Sequence, residues 1–254
     1  MNHSKKTKSK KIYIIAFIIC LVLAIIFFFT YTKLNNKEQN INVSQYNTPS
    51  SNTALNEQPQ DNIDINDSAS QFIIVNKNRP ILLSYVPSDL VSPKVTINNQ
   101  KSNSENSIRN IVAPNLESLF ADAKNNNLDL MLASGYRSAE LQGFYYNNLV
   151  HSLGQAEADK ISAKPGTSEH QTGLALDIAP TNRECYLETC FADTKEGIWL
   201  KDNAYKYGFI LRYPLDKDQI TGYQYEPWHF RFVGKDIAQK IYSQNTTLEE
   251  YFNL

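Results

Sequence analysis

Two of the chain's four histidines stand in company that could do chemistry: His170 in SEHQTGLALD and His229 in EPWH. Asp177 follows His170 along a stretch, Gly173 to Ile178, that alternates with the period of a strand. Leu174, Leu176 and Ile178 fall on one face, and Gly173, Ala175 and Asp177 on the other. Gly173 and Ala175 carry almost no side chain, so the second face leaves room in front of the carboxylate. Two imidazoles and one carboxylate are the ligand set of a catalytic zinc site, which keeps its fourth position for water; structural zinc is normally closed by thiolates.

Glu226 precedes His229 in EPWH, and a modest bend at Pro227 would bring its carboxylate to a water activated by the metal without making it a ligand. Zinc lowers the pKa of such a water from about 15.7 to about 7, and a neighbouring Glu can take its proton during attack on an amide and return it to the leaving amine. Arg137, in a Gly-Tyr-Arg turn at the end of a predicted strand, offers a guanidinium to a developing oxyanion or to a substrate carboxylate. Taken singly, each residue has an ordinary alternative: a core histidine, a solvated carboxylate, an ion-paired arginine. Their joint arrangement is what points to hydrolysis.

The elements that must position these residues follow from local pattern. Phe72 to Val75 reads as a short strand, and Asn76 to Val95 as an irregular surface segment. Helical spacing of Ile108, Val112, Leu116, Leu119, Phe120 and Ala123 predicts a helix from Ser107 to about Asn126. Leu128 to Ala133 reads as a strand running into Arg137. Ser138 suits the N-cap of a second helix to about His151, and Gln155 to Ile161 adds a short helical piece. Further on, Trp199 to Tyr207 is helical, Phe209 to Tyr213 and Tyr225 to Val233 are strands, and Lys235 to about Ser243 is a terminal helix. Helices mixed with short strands that meet through tight turns predict an α+β fold, a small antiparallel sheet flanked by helices and carrying the zinc site.

The 254 residues suffice for one good-sized domain and something more. Lys plus Arg is 25 and Asp plus Glu is 26, a formal charge of −1, so there is no basic excess for nucleic acid to exploit. Residues 1–11 form a basic tail with five lysines and no acid. Residues 12–32 are an uncharged apolar run long enough, at about 1.5 Å per helical residue, to span a bilayer. The positive-inside rule then places the N-terminus in the cytoplasm and all that follows outside, on a single-pass membrane protein. A cleaved signal peptide is the rival, but Phe27-Phe28-Phe29-Thr30 supplies no small-x-small site. Residues 33–69 hold 17 Asn, Gln or Ser in 37 positions and no Gly, with too little apolar surface to offset the entropy of folding; they read as a disordered stalk. Seven Lys and five acidic residues lie before Ser70, leaving 18 basic and 21 acidic residues in the external domain 70–254, a net charge of −3.

At SGYRSAELQ, SEHQTGLALDIA, YGFILRYP and TGYQYEPWHFRFVG the sequence resembles the VanY-type D-alanyl-D-alanine carboxypeptidases, zinc peptidases sharing SxHxxGxAxD and ExxH signatures. The likeness runs from about Phe72 to about Asp236. It implies one zinc per domain on His170, Asp177 and His229, with Glu226 as general base and Arg137 assisting the transition state. It also implies that Gln142, Ser168 and Tyr213 line the pocket for the terminal D-alanine and its carboxylate. The substrate implied is the peptidoglycan stem peptide, and the expected state a monomer. Relatives with the same metal and base include LD-carboxypeptidases and endopeptidases, which the motifs do not separate. A wall-binding or sensor module without catalysis is the reading from a different class. RECYLETC departs from the family signature; outside the membrane Cys185 and Cys190 read as a small-loop disulfide or as two free thiols. Serine and thermolysin-type peptidases are excluded, since no Ser is followed by Lys three residues on and no His is followed by Glu.

Overall fold

A computed structural model describes residues 63–254. The expected tail 1–11, the expected anchor 12–32 and the expected stalk up to residue 62 lie outside the described residues. Among the described residues no helix is long and apolar enough to cross a membrane.

The architecture is α+β. A two-stranded pair, β1 (Leu90–Val91) and β2 (Ile108–Arg109), precedes helix α1 (Ala113–Asn125). Strand β3 (Leu130–Ser134) leads to helices α2 (Ala139–Leu153) and α3 (Gln155–Ile161), and a 3-10 turn over Glu169–Thr172 enters β4 (Ala175–Pro180). Then come α4 (Lys195–Asn203), β5 (Phe209–Leu211), the short α5 (Asp218–Thr221), β6 (His229–Phe232), α6 (Lys235–Gln244) and α7 (Leu248–Tyr251). The main sheet has the order β3-β4-β6-β5, antiparallel throughout.

One face of this sheet is sealed. Leu176 and Ile178 of β4, Phe230 and Phe232 of β6 and Leu132 of β3 join Leu116, Leu119, Phe120 and Ala123 of α1 in a single buried cluster. Truncating any of these leucines to alanine would cost about 2–5 kcal/mol. With that face committed, the period of two turns Asp177, His229 and Arg231 to the opposite side. The sequence alternation across Leu174–Ile178 is therefore the alternation of the folded strand.

Several elements differ from the local reading. The helix expected from Ser107 begins only at Ala113, with Pro114 in its first turn, where a missing N–H costs nothing. Ile108 and Val112 are buried as predicted, but Ile108 is buried from strand β2. Phe72 to Val75 forms no strand: Ile73 and Val75 are buried in the main core and Ile74 in a second cluster as irregular chain, with Ile74 N–H bonded to the Ile65 carbonyl. Tyr225 to Val233 is strand only from His229, because Glu226 to Trp228 form a turn in which His229 N–H reaches the Glu226 carbonyl. The helix expected over Trp199 to Tyr207 starts earlier, at Lys195, where the Thr194 hydroxyl accepts from Gly197 N–H. Its last residues continue as a 3-10 turn.

The domain also begins before Ser70. Ile63 and Ile65 pack against a second core cluster with Phe72, Ile210 and Ile237, and Arg79 donates to the Ile65 carbonyl and to Asn66. The polar composition of this stretch concealed two partly buried isoleucines that pack onto the core. Cys185 and Cys190 are joined in a disulfide.

Candidate metal centre and its cavity

Asp177 sits in the middle of β4 and His229 at the first position of β6, and the strand register pairs them directly. On the other side Asp177 pairs with Ser134 across an irregularity in β3 that ends the strand and releases Gly135-Tyr136-Arg137 toward the site. His170 comes from the 3-10 turn before β4. That turn is closed by Gly173 at φ +65°, and Gln171 anchors it by donating to the carbonyls of Leu82 and Tyr85. Gly135 has a steric reason of its own: a Cβ there would lie 2.3 Å from the Ser107 carbonyl oxygen.

The Gly135 carbonyl is 2.6 Å from His170 Nδ1. A carbonyl can only accept, so Nδ1 carries the proton and Nε2 is left with its lone pair toward the site. His170 Nε2 lies 3.4 Å from Asp177 Oδ2, and His229 Nδ1 lies 3.2 Å from Asp177 Oδ1. Ligands at about 2.0–2.2 Å from one tetrahedral zinc stand about 3.3–3.6 Å apart; both separations here are close to that, and the three ligand atoms all lie within 4.8 Å of one another. Asp177 Oδ1 is buried with no hydrogen-bond partner. A buried orphan carboxylate oxygen between two imidazoles is a place for a cation, and the three residues fit zinc.

The protonation of the cluster carries the same message. Burial disfavours the Asp177 carboxylate, yet the two imidazoles beside it hold it well below the usual range. Burial lowers His170. Burial also acts against charge on His229, but the carboxylates of Asp177 and Glu169 outweigh it and raise the imidazole to about 9. The nest thus favours positive charge between its carboxylates, and metal binding there would compete with protons.

Glu226 stands beside this triad. Its Oε2 is 3.6 Å from His229 Nδ1, and burial pushes its carboxyl up to about 7, against the pull of His229. Arg137 closes another side. Its Nη1 donates to Gln142 Oε1 and its Nη2 to Ser134 Oγ, while Nε is buried without a partner. These residues surround a cavity of about 210 Å³ whose walls include Ser168 and Tyr213.

All eight residues singled out in the sequence line this one cavity. Gln142 is the one whose surroundings restrict its use. Its amide oxygen takes Arg137, and its nitrogen donates to the Ala163 carbonyl and Ser162 Oγ, so it serves the cavity by holding the guanidinium. Local reading missed Tyr223, Trp228, Leu187 and Glu169. Tyr223 packs its ring on Tyr213, 4.7 Å between centroids, and Tyr213 in turn on His229. Leu187 reaches the wall from inside the Cys185–Cys190 loop. Glu169 is fully buried next to His170 in the chain; an acid beside a candidate ligand was the available signal.

The sequence profile described as VanY, D-alanyl-D-alanine carboxypeptidase, matches residues 105–235. The chain is 45% identical over 179 residues to YodJ of Bacillus subtilis (strain 168), covering 70% of this chain and 66% of that one. It is 37% identical over 196 residues to a D-alanyl-D-alanine carboxypeptidase of Enterococcus faecalis, covering 72% of this chain and 65% of the relative. The chain thus spans just under two thirds of the length of these two relatives. Among solved structures it is similar to the LdcB LD-carboxypeptidase, with a TM-score of 0.70 and 43% identity over 73% of this chain and 87% of that one. It is also similar to a VanY D,D-pentapeptidase variant solved with Zn(II), with a TM-score of 0.58 and 37% identity over 71% of this chain and 97% of that one.

Proposed function

The chain belongs to the VanY family of D-alanyl-D-alanine carboxypeptidases, and from that premise we propose that it is a zinc-dependent peptidase that removes the terminal D-alanine from peptidoglycan stem peptides. The observation that carries this reading is the convergence of His170 Nε2, Asp177 and His229 Nδ1, all buried, with the Glu226 carboxylate beside them at one cavity.

Zinc held by those three residues would lower the pKa of a water and polarise the scissile carbonyl. The chain's own groups do the rest. Glu226, with its carboxyl near 7, is poised to accept a proton from the attacking water and to return it to the departing amine. Arg137, fixed by Ser134 and Gln142, keeps a free Nε–H for the oxyanion or for the substrate's terminal carboxylate. Tyr213 and Ser168 bound the space in which the terminal residue would sit, and the small cavity suits one alanine and its carboxylate. The wall substrate and the expected anchor at 12–32 belong to one reading, in which the domain works outside the membrane.

A second reading, LD-carboxypeptidase, is favoured by the similarity to LdcB. Defined muropeptides ending in D-Ala-D-Ala or in a tetrapeptide, incubated with the protein and analysed by mass spectrometry, separate the two. Loss of one D-alanine from the pentapeptide is the expected result. Cleavage of tetrapeptides alone would install the second reading, and cleavage of neither would overturn both.

A further inference from the structure

His229 faces Asp177 and Glu226 through Nδ1, so its other ring nitrogen, Nε2, lies across the ring from those two carboxylates and is buried. There it meets Glu169 Oε2 at 3.9 Å. Both atoms are buried and neither has a hydrogen-bond partner. The rest of Glu169 is pinned: its other oxygen, Oε1, accepts from Arg212 Nε at 2.8 Å and from Arg231 Nη1 at 2.9 Å. Arg212 is held in turn by both oxygens of Glu249, and Arg231 by the carbonyls of Gln71 and Ile73. One oxygen of a fully buried carboxylate is thus left aimed at one nitrogen of a candidate ligand.

We propose that Glu169 is a positioning residue for the metal centre: its Oε2 is the acceptor for His229 Nε2–H and thereby commits His229 to present Nδ1 to the metal. The inference rests on the reading of His229 as a ligand. A neutral imidazole has one N–H; if it binds metal through Nδ1 the proton sits on Nε2, in a place where water does not reach and no other acceptor stands. Glu169 cannot move toward the ring without leaving two guanidiniums, so a rotation of His229 by about 1 Å at Nε2 brings the pair to hydrogen-bond distance. His170 is oriented in the opposite sense by the Gly135 carbonyl, which holds its Nδ1–H. The two imidazoles therefore offer different nitrogens, each selected by an acceptor behind it, and such outer partners raise ligand basicity as well as fixing the ring.

The test is Glu169→Gln in the full-length chain, with zinc affinity read by competition against a chromophoric chelator. Arg212 and Arg231 can only donate, so they take the amide oxygen and turn the NH2 toward His229 Nε2. The ring is driven to the Nδ1–H form, which cannot ligate. Zinc affinity should fall about 10- to 100-fold. Glu249→Gln is the control, since it weakens the same Arg212 but faces no ligand; it should lose melting temperature while keeping wild-type zinc affinity. Should Glu169→Gln fail to fold, Glu169→Asp keeps the charge for the guanidiniums while withdrawing the second oxygen, and should lower zinc affinity in the folded protein. Wild-type zinc affinity in either folded Glu169 variant, or an equal loss in Glu249→Gln, overturns the proposal. A wild-type chain that takes up no zinc overturns the functional reading with it.

Discussion

Two clusters of buried charge lie back to back in this domain, and they are built on opposite principles. In one, Glu169 and Glu249 face Arg212 and Arg231, two acids against two guanidiniums, in contacts of 2.6–2.9 Å. Every side-chain nitrogen and oxygen of these four residues has a hydrogen-bond partner except Glu169 Oε2. In the other, Asp177 and Glu226 face two imidazoles and Arg137 around a cavity, Arg137 Nη2 lying 3.8 Å from Asp177 Oδ2, and Asp177 Oδ1 and His229 Nε2 have no partner. A balanced, satisfied cluster is internally complete and braces the fold. A cluster that keeps unpartnered buried atoms around a cavity has room to take a cation from outside, and that difference separates a structural network from a candidate site.

The contrast is broken most severely by removing a ligand. His229→Ala leaves an incomplete set, and we expect zinc and D-alanine release to be lost together, measured by metal analysis and muropeptide turnover. Full zinc occupancy in this variant would mean the cavity's cation is held elsewhere. Glu226→Gln should separate the two properties: zinc stays, while turnover falls by about 10²- to 10⁴-fold or more, since the same group moves the proton both ways. Near-normal turnover would assign the base to another residue, and lost zinc would make Glu226 a ligand.

Breaking the balanced cluster should act on stability instead. Arg212→Leu leaves Glu249 without a counter-charge and Glu169 with Arg231 alone, where no water reaches, and should cost about 3–5 kcal/mol in urea unfolding. A loss below 1 kcal/mol would show that the network is dispensable. The smallest effect is expected at a third acid, Glu105. Burial opposes its charge, but Lys101 and Tyr145 hydrogen bonds hold it at about 2 rather than its usual 4.5. A depressed carboxyl stabilises fully above its unfolded value, and the contribution is lost as pH falls from about 4.5 toward 2. Glu105→Gln should therefore be less stable than wild type at pH 7, with the gap closing as acid is added. A gap that is unchanged at pH 3 would rule out this origin.

Much of the site was legible in the chain because its parts are local patterns. The alternation Leu174–Ile178 told which face Asp177 occupies, the turn at Pro227 told that Glu226 falls beside His229, and small residues around Asp177 told where space would be. The same locality misled at Ser107, where helical spacing belonged partly to a strand, and at Phe72 to Val75, where an apolar run was buried without pairing. Ile63 and Ile65, dispersed among polar residues, gave no periodic signal at all.

What the sequence determined by itself is which groups are available for chemistry: the candidate donor types, the candidate base, the guanidinium and the strand faces that carry them, since side-chain identity and short-range backbone preference act within a few residues. Only the tertiary structure decided which nitrogen of each histidine faces the site, that Gln142 holds Arg137, and that Glu169 joins Arg212, Arg231 and Glu249 behind the candidate ligands. Those choices depend on sheet register and on chain segments far apart in sequence meeting where water is excluded, and no local pattern of residues encodes that.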